Sequence, residues 1–105
     1  MSATTETKQL TALDHVAISV SNIKDTVAWY TQQFDCTIKY QDETWALLEF
    51  ANIRVAFVLP EQHPPHVAVL GDPAAYGQPK THRDGTRSVY LQDPSGNNVE
   101  ILALK

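Results

Sequence analysis

With one cysteine, Cys36, in 105 residues, the chain has no means of forming an internal disulfide, and its fold must rest on packing and hydrogen bonds. Long apolar runs are missing too: charged or polar residues break every apolar stretch well short of the roughly 18 residues that a membrane span needs. The first ten residues, Met1–Leu10, hold no apolar core of the kind a signal peptide carries. A cytoplasmic protein without a membrane partner is the expectation. Positive charge is also scarce. Eight Lys and Arg stand against twelve Asp and Glu, and the net charge of −4 has the wrong sign for a protein that grips nucleic acid through its phosphates. What is present, 43% apolar and 19% charged residues, suits one globular domain large enough to need no staples.

Residues 1–10 are polar and rich in threonine, and read as a mobile arm ahead of a single domain over 11–105. Leu13–Val20 reads as a strand with Val16, Ile18 and Val20 on one face and His15, Ala17 and Ser19 on the other. Ser21 or Asn22 offers a helix N-cap, and Ile23, Val27, Tyr30 and Phe34 recur at helical spacing, so an amphipathic helix should cover the strand's apolar face. Short strands near Thr37–Tyr40, Trp45–Phe50 and Ile53–Leu59 complete a βαβββ module over 11–59. The proline-rich segment 60–65 is a stiff linker.

From His66 the pattern starts again. His66-Val-Ala-Val repeats His15-Val-Ala-Ile, and strands over Pro79–Arg83, Thr86–Gln92 and Asn97–Ala103, joined by turns at Asp84-Gly85 and Asp93–Gly96, make a second module over 66–105. Only Gly71–Gln78 stand where the first module has its helix, so an extended loop is expected there. The apolar face of Val67, Val69, Val89, Leu91, Val99 and Ile101 should then be bare unless a partner, most simply a second copy of the chain, or else the N-terminal arm, covers it. The fold class is α+β, two βαβββ modules with the helix of the second shortened or lost.

Alternation along the last strand puts Glu100 opposite Val99 and Ile101, on the same polar face as His15 and His66. Each histidine opens the equivalent strand of its module, so the duplication brings the two together across a pseudo-twofold axis. Two imidazoles and one carboxylate suit a borderline divalent ion and leave coordination positions open. Taken singly, each of the three is an ordinary polar residue on a solvated sheet face; their shared register is what makes them candidate ligands.

The opening Leu13-Asp-His-Val-Ala, the helix with Trp29-Tyr30, and the closing Asp93-Pro-Ser-Gly-Asn-Asn-Val-Glu-Ile-Leu102 resemble the vicinal oxygen chelate superfamily, which includes glyoxalase I, methylmalonyl-CoA epimerase, fosfomycin-resistance enzymes, extradiol dioxygenases and metal-free bleomycin-binding proteins. The resemblance spans nearly the whole chain. It implies a cup of paired modules around a divalent ion (Zn, Ni, Mn or Fe) held by His15, His66 and Glu100. A fourth ligand of some relatives would fall on Ala56, which cannot bind metal, with Phe57 equally unable if the match slips by one. Glu49 is a weaker substitute beside Leu48 and Phe50.

Other residues rank lower. Tyr90 shares a face with Ser88 beside the Glu100 strand and is a candidate acid or substrate-orienting group, although packing in the cup wall is its commoner role. Arg87 and Ser88 are candidate substrate-binding residues, Arg87 with Lys80 and Arg83 as a basic rim around the hairpin. His82 is a candidate base, although surface is the commoner role beside the Asp84-Gly85 turn; His63 lies in the linker; Trp29, Trp45 and Cys36 read as packing residues. The leading functional expectation is a metal-dependent enzyme of the glyoxalase or dioxygenase type, with lyase or isomerase chemistry on a small substrate favoured and a homodimer or higher homo-oligomer as the assembly. Thiol transfer to an antibiotic epoxide also fits the resemblance. The competing expectation is a metal-free protein that sequesters a small molecule or antibiotic, as bleomycin-binding proteins do; such a protein has no need of three ligands on one face.

Overall fold

The computed structural model describes residues 9–82 and 84–104. Among them are one α-helix and eight strands: β1 (Leu13–Ser19), α1 (Ile23–Gln33), β2 (Thr37–Gln41), β3 (Trp45–Glu49), β4 (Arg54–Val58), β5 (His66–Leu70), β6 (Lys80–Thr81), β7 (Arg87–Gln92) and β8 (Asn98–Ala103). All strands join one sheet in the order β2-β3-β4-β1-β5-β8-β7-β6. Its halves are wired alike: β1 runs parallel to β4 as β5 does to β8, and the two modules meet edge to edge through an antiparallel β1/β5 pairing. An antiparallel junction between identical connectivities is what a pseudo-twofold axis produces.

The helix begins where Asn22 accepts a hydrogen bond on its side-chain oxygen from the Asp25 backbone N–H at 2.8 Å, and Asp25 adds a carboxylate at the positive end of the helix dipole. Ile23 and Val27 pack with Ala46, Leu48 and Phe57, all buried, while Tyr30, Phe50 and Val55 close the margins. Burial of side chains such as Leu48 and Phe57 stabilises the fold by roughly 2–3 kcal/mol each. The helix therefore lies over β3 and β4 rather than over β1. Ile18, expected beneath it, is 41% exposed.

The connector of the second module is not fully extended. Asp72 caps a single 3-10 turn, Pro73–Ala75, by accepting from the Ala74 N–H at 3.1 Å, and Pro73 is fully buried. Gly71 sits so close to Ile101 that an added Cβ would meet its side chain at 3.3 Å, and Gly77 stands similarly against Val89. This turn covers the β7/β8 part of the apolar face, so that face is not bare throughout. Val67 at its centre stays 38% exposed beside Ile18. β6 is also shorter than the Pro79–Arg83 strand expected, and Arg83 lies outside the described residues, as do residues 1–8 of the expected N-terminal arm.

On the other face of the sheet a second cluster forms. Ala17, Ala56 and Val58 are buried there with Trp45 and Leu47 packed against them, and Tyr40 stacks on Trp45 with ring centroids 4.4 Å apart. This half of the face is apolar. Its neighbour across β1/β5 holds the polar residues.

Candidate metal centre

Register explains why three distant residues meet. His15 pairs with Ala68 and Ala17 with His66 across the β1/β5 junction, so the two histidines face each other diagonally on one face. Ala68 in turn pairs with Glu100. The Nε2 atoms of His15 and His66 lie 3.2 Å apart, and Oε1 of Glu100 is 3.6 Å from the first and 3.3 Å from the second. Glu100 is buried, which is unusual for a carboxylate without strong partners.

The same register identifies the missing fourth position. In module two His66 pairs with Asn98 and Ala68 with Glu100; in module one His15 pairs with Arg54 and Ala17 with Ala56. Ala56 is thus the pseudo-symmetric counterpart of Glu100. Glu49, the weaker substitute, pairs instead with Lys39 at 3.4 Å.

Proton placement makes the triangle informative. His15 Nδ1 faces the Asp14 carboxylate at 2.8 Å and His66 Nδ1 faces the Pro64 carbonyl at 2.9 Å. Both partners only accept, so Nδ1 is the protonated nitrogen in each ring and the neutral rings turn bare Nε2 lone pairs inward. Two lone pairs and a carboxylate oxygen then converge with no hydrogen between them, an arrangement that a proton or a cation must relieve. A tetrahedral ion with bonds of about 2.1 Å holds its ligand atoms about 3.4 Å apart, and the three separations bracket that figure. The donor set fits a divalent ion.

Titration follows the same logic. Burial opposes the charged form of His66, but the Glu100 carboxylate and the Pro64 carbonyl outweigh it and hold the pKa above the ordinary 6.5. For Glu100, burial pushes the pKa up, and hydrogen bonds from His66 and Ser88 with the charges of His66 and His15 outweigh it, leaving the carboxyl below 4.5. Tyr90 packs edge-on to His66 with centroids 5.3 Å apart, and burial together with the Glu100 charge pushes its phenol pKa up, so the phenol stays protonated.

The contacts of two neighbours with the candidate ligands were not legible in the sequence. Strict alternation would send Asp14 away from His15, but the register slips between Leu13 and His15, and its carboxylate reaches the imidazole while also meeting Arg54 at 3.6 Å. His82, read as surface, places Nε2 2.7 Å from the Ser88 hydroxyl and 3.9 Å from Oε2 of Glu100. An Asp directly before a candidate ligand His, and a His two residues before a tight turn, were the available signals. Of the two substrate-binding candidates, Ser88 is buried with His82 and Glu100 as partners, whereas Arg87 is exposed and alternates with Ser88, hence on the opposite face. Lys80 is exposed at the sheet's outer edge, and His63 lies in the exposed linker.

No family model and no curated protein sequence matches the chain. Solved structures do. A hypothetical protein from Bacillus halodurans C-125 superposes with a TM-score of 0.72 at 16% identity, covering 92% of this chain and 96% of that one. A glyoxalase/bleomycin resistance protein/dioxygenase superfamily member from Vibrio splendidus 12B01 gives 0.69 at 9% identity, with coverages of 90% and 100%. Streptomyces coelicolor methylmalonyl-CoA epimerase gives 0.69 at 17% identity, with 90% and 98%. At these identities the likeness establishes the fold, and that fold is the one the sequence resemblance implied.

Proposed function

We propose, on the premise that the chain carries the vicinal oxygen chelate fold, that it is a divalent-metal-dependent enzyme acting on a small substrate with two adjacent oxygens, in lyase or isomerase chemistry. The observation that carries this reading is the convergence of two imidazole Nε2 atoms and one carboxylate oxygen within 3.2–3.6 Å. His15, His66 and Glu100 would hold the ion, one of Zn, Ni, Mn or Fe. When bound, such an ion supplies Lewis acidity that stabilises negative charge developing on the substrate oxygens.

The protein's own groups divide the remaining work. Asp14 and the Pro64 carbonyl fix both imidazole tautomers, so that Nε2 is the nitrogen presented. Ala56, in place of a fourth ligand, offers no donor on the module-one side and leaves a coordination position open for substrate. There Trp45 and Leu47 offer an apolar wall for the carbon skeleton, while the polar half of the face lies toward Tyr90. The Tyr90 phenol, kept protonated, donates a hydrogen bond to a substrate oxygen.

The same reading includes a cytoplasmic homodimer. Among the described residues no helix is long and apolar enough to cross a membrane, and the exposed pair Ile18 and Val67 on the opposite face supports docking of a second copy.

Metal analysis after anaerobic purification tests the proposal, followed by assays with a glutathione hemithioacetal, a catechol plus oxygen, and fosfomycin plus thiol. Bound metal with turnover of the hemithioacetal or a related isomerisation supports it. Less than about a tenth of an equivalent of metal, unchanged on adding Zn, Ni, Mn or Fe, overturns it in favour of metal-free sequestration.

A further inference from the structure

The outermost hairpin of module two is minimal, yet its turn is tightly specified. β6 contributes two residues, after which the His82 N–H donates to the Thr86 carbonyl at 2.8 Å and the Gly85 N–H to the His82 carbonyl at 3.0 Å. Gly85 adopts a φ of 89°, a conformation that L side chains rarely take. Thr86 is held again by Asp84, through its N–H at 2.9 Å and its hydroxyl at 2.7 Å. The backbone of His82 is therefore fixed on both sides, and its ring is aimed back at the sheet.

What the ring meets there is Ser88. Ser88 and Glu100 share one face of the neighbouring strands β7 and β8, and the single hydrogen of the Ser88 hydroxyl has the Glu100 carboxylate as its acceptor. The 2.7 Å contact with His82 must then be an N–H of the ring donating to the Ser88 oxygen. A directed chain results, from His82 Nε2–H to Ser88 and from Ser88 to Glu100, and it ends on a carboxylate whose Oε1 faces the two ligand imidazoles and whose Oε2 faces His82 at 3.9 Å. Ser88 is only 2% exposed, so water does not replace this bond.

We propose that Ser88 and His82 form a positioning clamp on Glu100, with His82 facing Oε2 so that Oε1 is left to face the two imidazoles and a metal. The inference rests on the metal-site reading above. It gives a role to an edge hairpin whose outer strand has only two residues, and to a serine buried beside a candidate ligand. His82 and Ser88 are positioning residues acting through Glu100, and neither touches the metal.

The test uses the full-length protein and the metal ion alone. Zn²⁺ affinity is measured by competition with a chromophoric chelator, and the Co²⁺ form is followed by its visible d–d absorption, for the wild type and for Ser88→Ala, Ser88→Thr, His82→Ala and His82→Gln. Ser88→Ala should weaken binding about 10–100-fold, with His82→Ala at the lower end of that range. Ser88→Thr and His82→Gln keep a hydroxyl and an N–H at the two positions and should restore most of the loss. In Ser88→Ala the Co²⁺ bands should weaken as the freed Oε2 joins the coordination sphere and raises its number. Because His82 is partly exposed in a surface hairpin, its variants read out the clamp even if Ser88→Ala folds poorly. Wild-type affinity and an unchanged Co²⁺ spectrum in His82→Ala and Ser88→Ala overturn the clamp alone. A wild type that binds neither ion overturns the metal-site reading, and the clamp with it.

Discussion

His15 and His66, 51 positions apart in sequence, bring their Nε2 atoms within 3.2 Å of each other, each with Nδ1 tied to an acceptor on the outer side. Neither neutral ring has a proton to offer the other. The contact is stable only as part of a larger arrangement in which a proton or a cation sits between the rings and Glu100, and the tests below probe that arrangement from different sides.

In the ion-free protein, His66→Ala should destabilise more than Glu100→Gln. Removing the imidazole leaves a buried carboxylate short of its main partner, which costs about 3 kcal/mol, whereas glutamine removes the charge and keeps an N–H to donate toward the inward lone pairs. Denaturant unfolding of the chelator-treated variants checks the order. Equal losses would mean that the charge on Glu100 is not held by His66.

Stability of the ion-free protein should be highest between pH 4.5 and 6.5, the ordinary values of the two groups. The folded pKa of His66 is raised, so its contribution is complete below 6.5 and is lost as pH rises through the raised value; that of Glu100 is lowered, so its contribution is complete above 4.5 and is lost as pH falls through the lowered value. Added Zn²⁺ should reverse the alkaline arm, because metal needs the neutral ring and competes better with protons as pH rises. Thermal melts across pH, with and without the ion, measure both effects.

Ala56→Glu should turn the site into a four-ligand centre. Ala56 is buried under Trp45 and Leu47 at the counterpart position of Glu100, so an added carboxylate disturbs the apolar cluster and lowers ion-free stability by about 3 kcal/mol. Zn²⁺ affinity should rise about tenfold or more, and metal should recover the lost stability. Chelator competition and melting curves read the two opposing changes.

Asp14→Asn should weaken metal binding about 10–100-fold without unfolding the protein, since an amide is a poorer acceptor for the His15 Nδ1–H and can present the wrong group to it. A Zn²⁺ titration that matches the wild type would remove Asp14 from the site.

Val67→Asp should convert the proposed dimer to a monomer in sedimentation velocity and leave metal affinity unchanged, because Val67 alternates with His66 and lies on the other face. A wild type that sediments as a monomer would contradict the dimer reading.

Much of this architecture was legible because period-two alternation and an internal repeat are local signals. They placed His15, His66 and Glu100 on one face and matched Ala56 to Glu100, and the strand register then brought those residues together. What escaped depended on geometry that has no period. Asp14 meets His15 where the β1/β5 register slips, and His82 meets Ser88 beside the turn that follows β6. Arg87 looked like a rim residue, yet alternation with Ser88 puts it on the opposite face. Ile18 has a core-like pattern, but α1 settles over β3 and β4, a choice made by tertiary packing with Leu48 and Phe57.

The most direct measurement is a calorimetric titration of Zn²⁺ into the chelator-stripped wild type, His66→Ala and Glu100→Gln at neutral pH. The expected result is one ion per wild-type chain, with both variants binding at least about a hundredfold more weakly. The contradicting result is a wild type that takes up no ion, or three proteins that bind it alike.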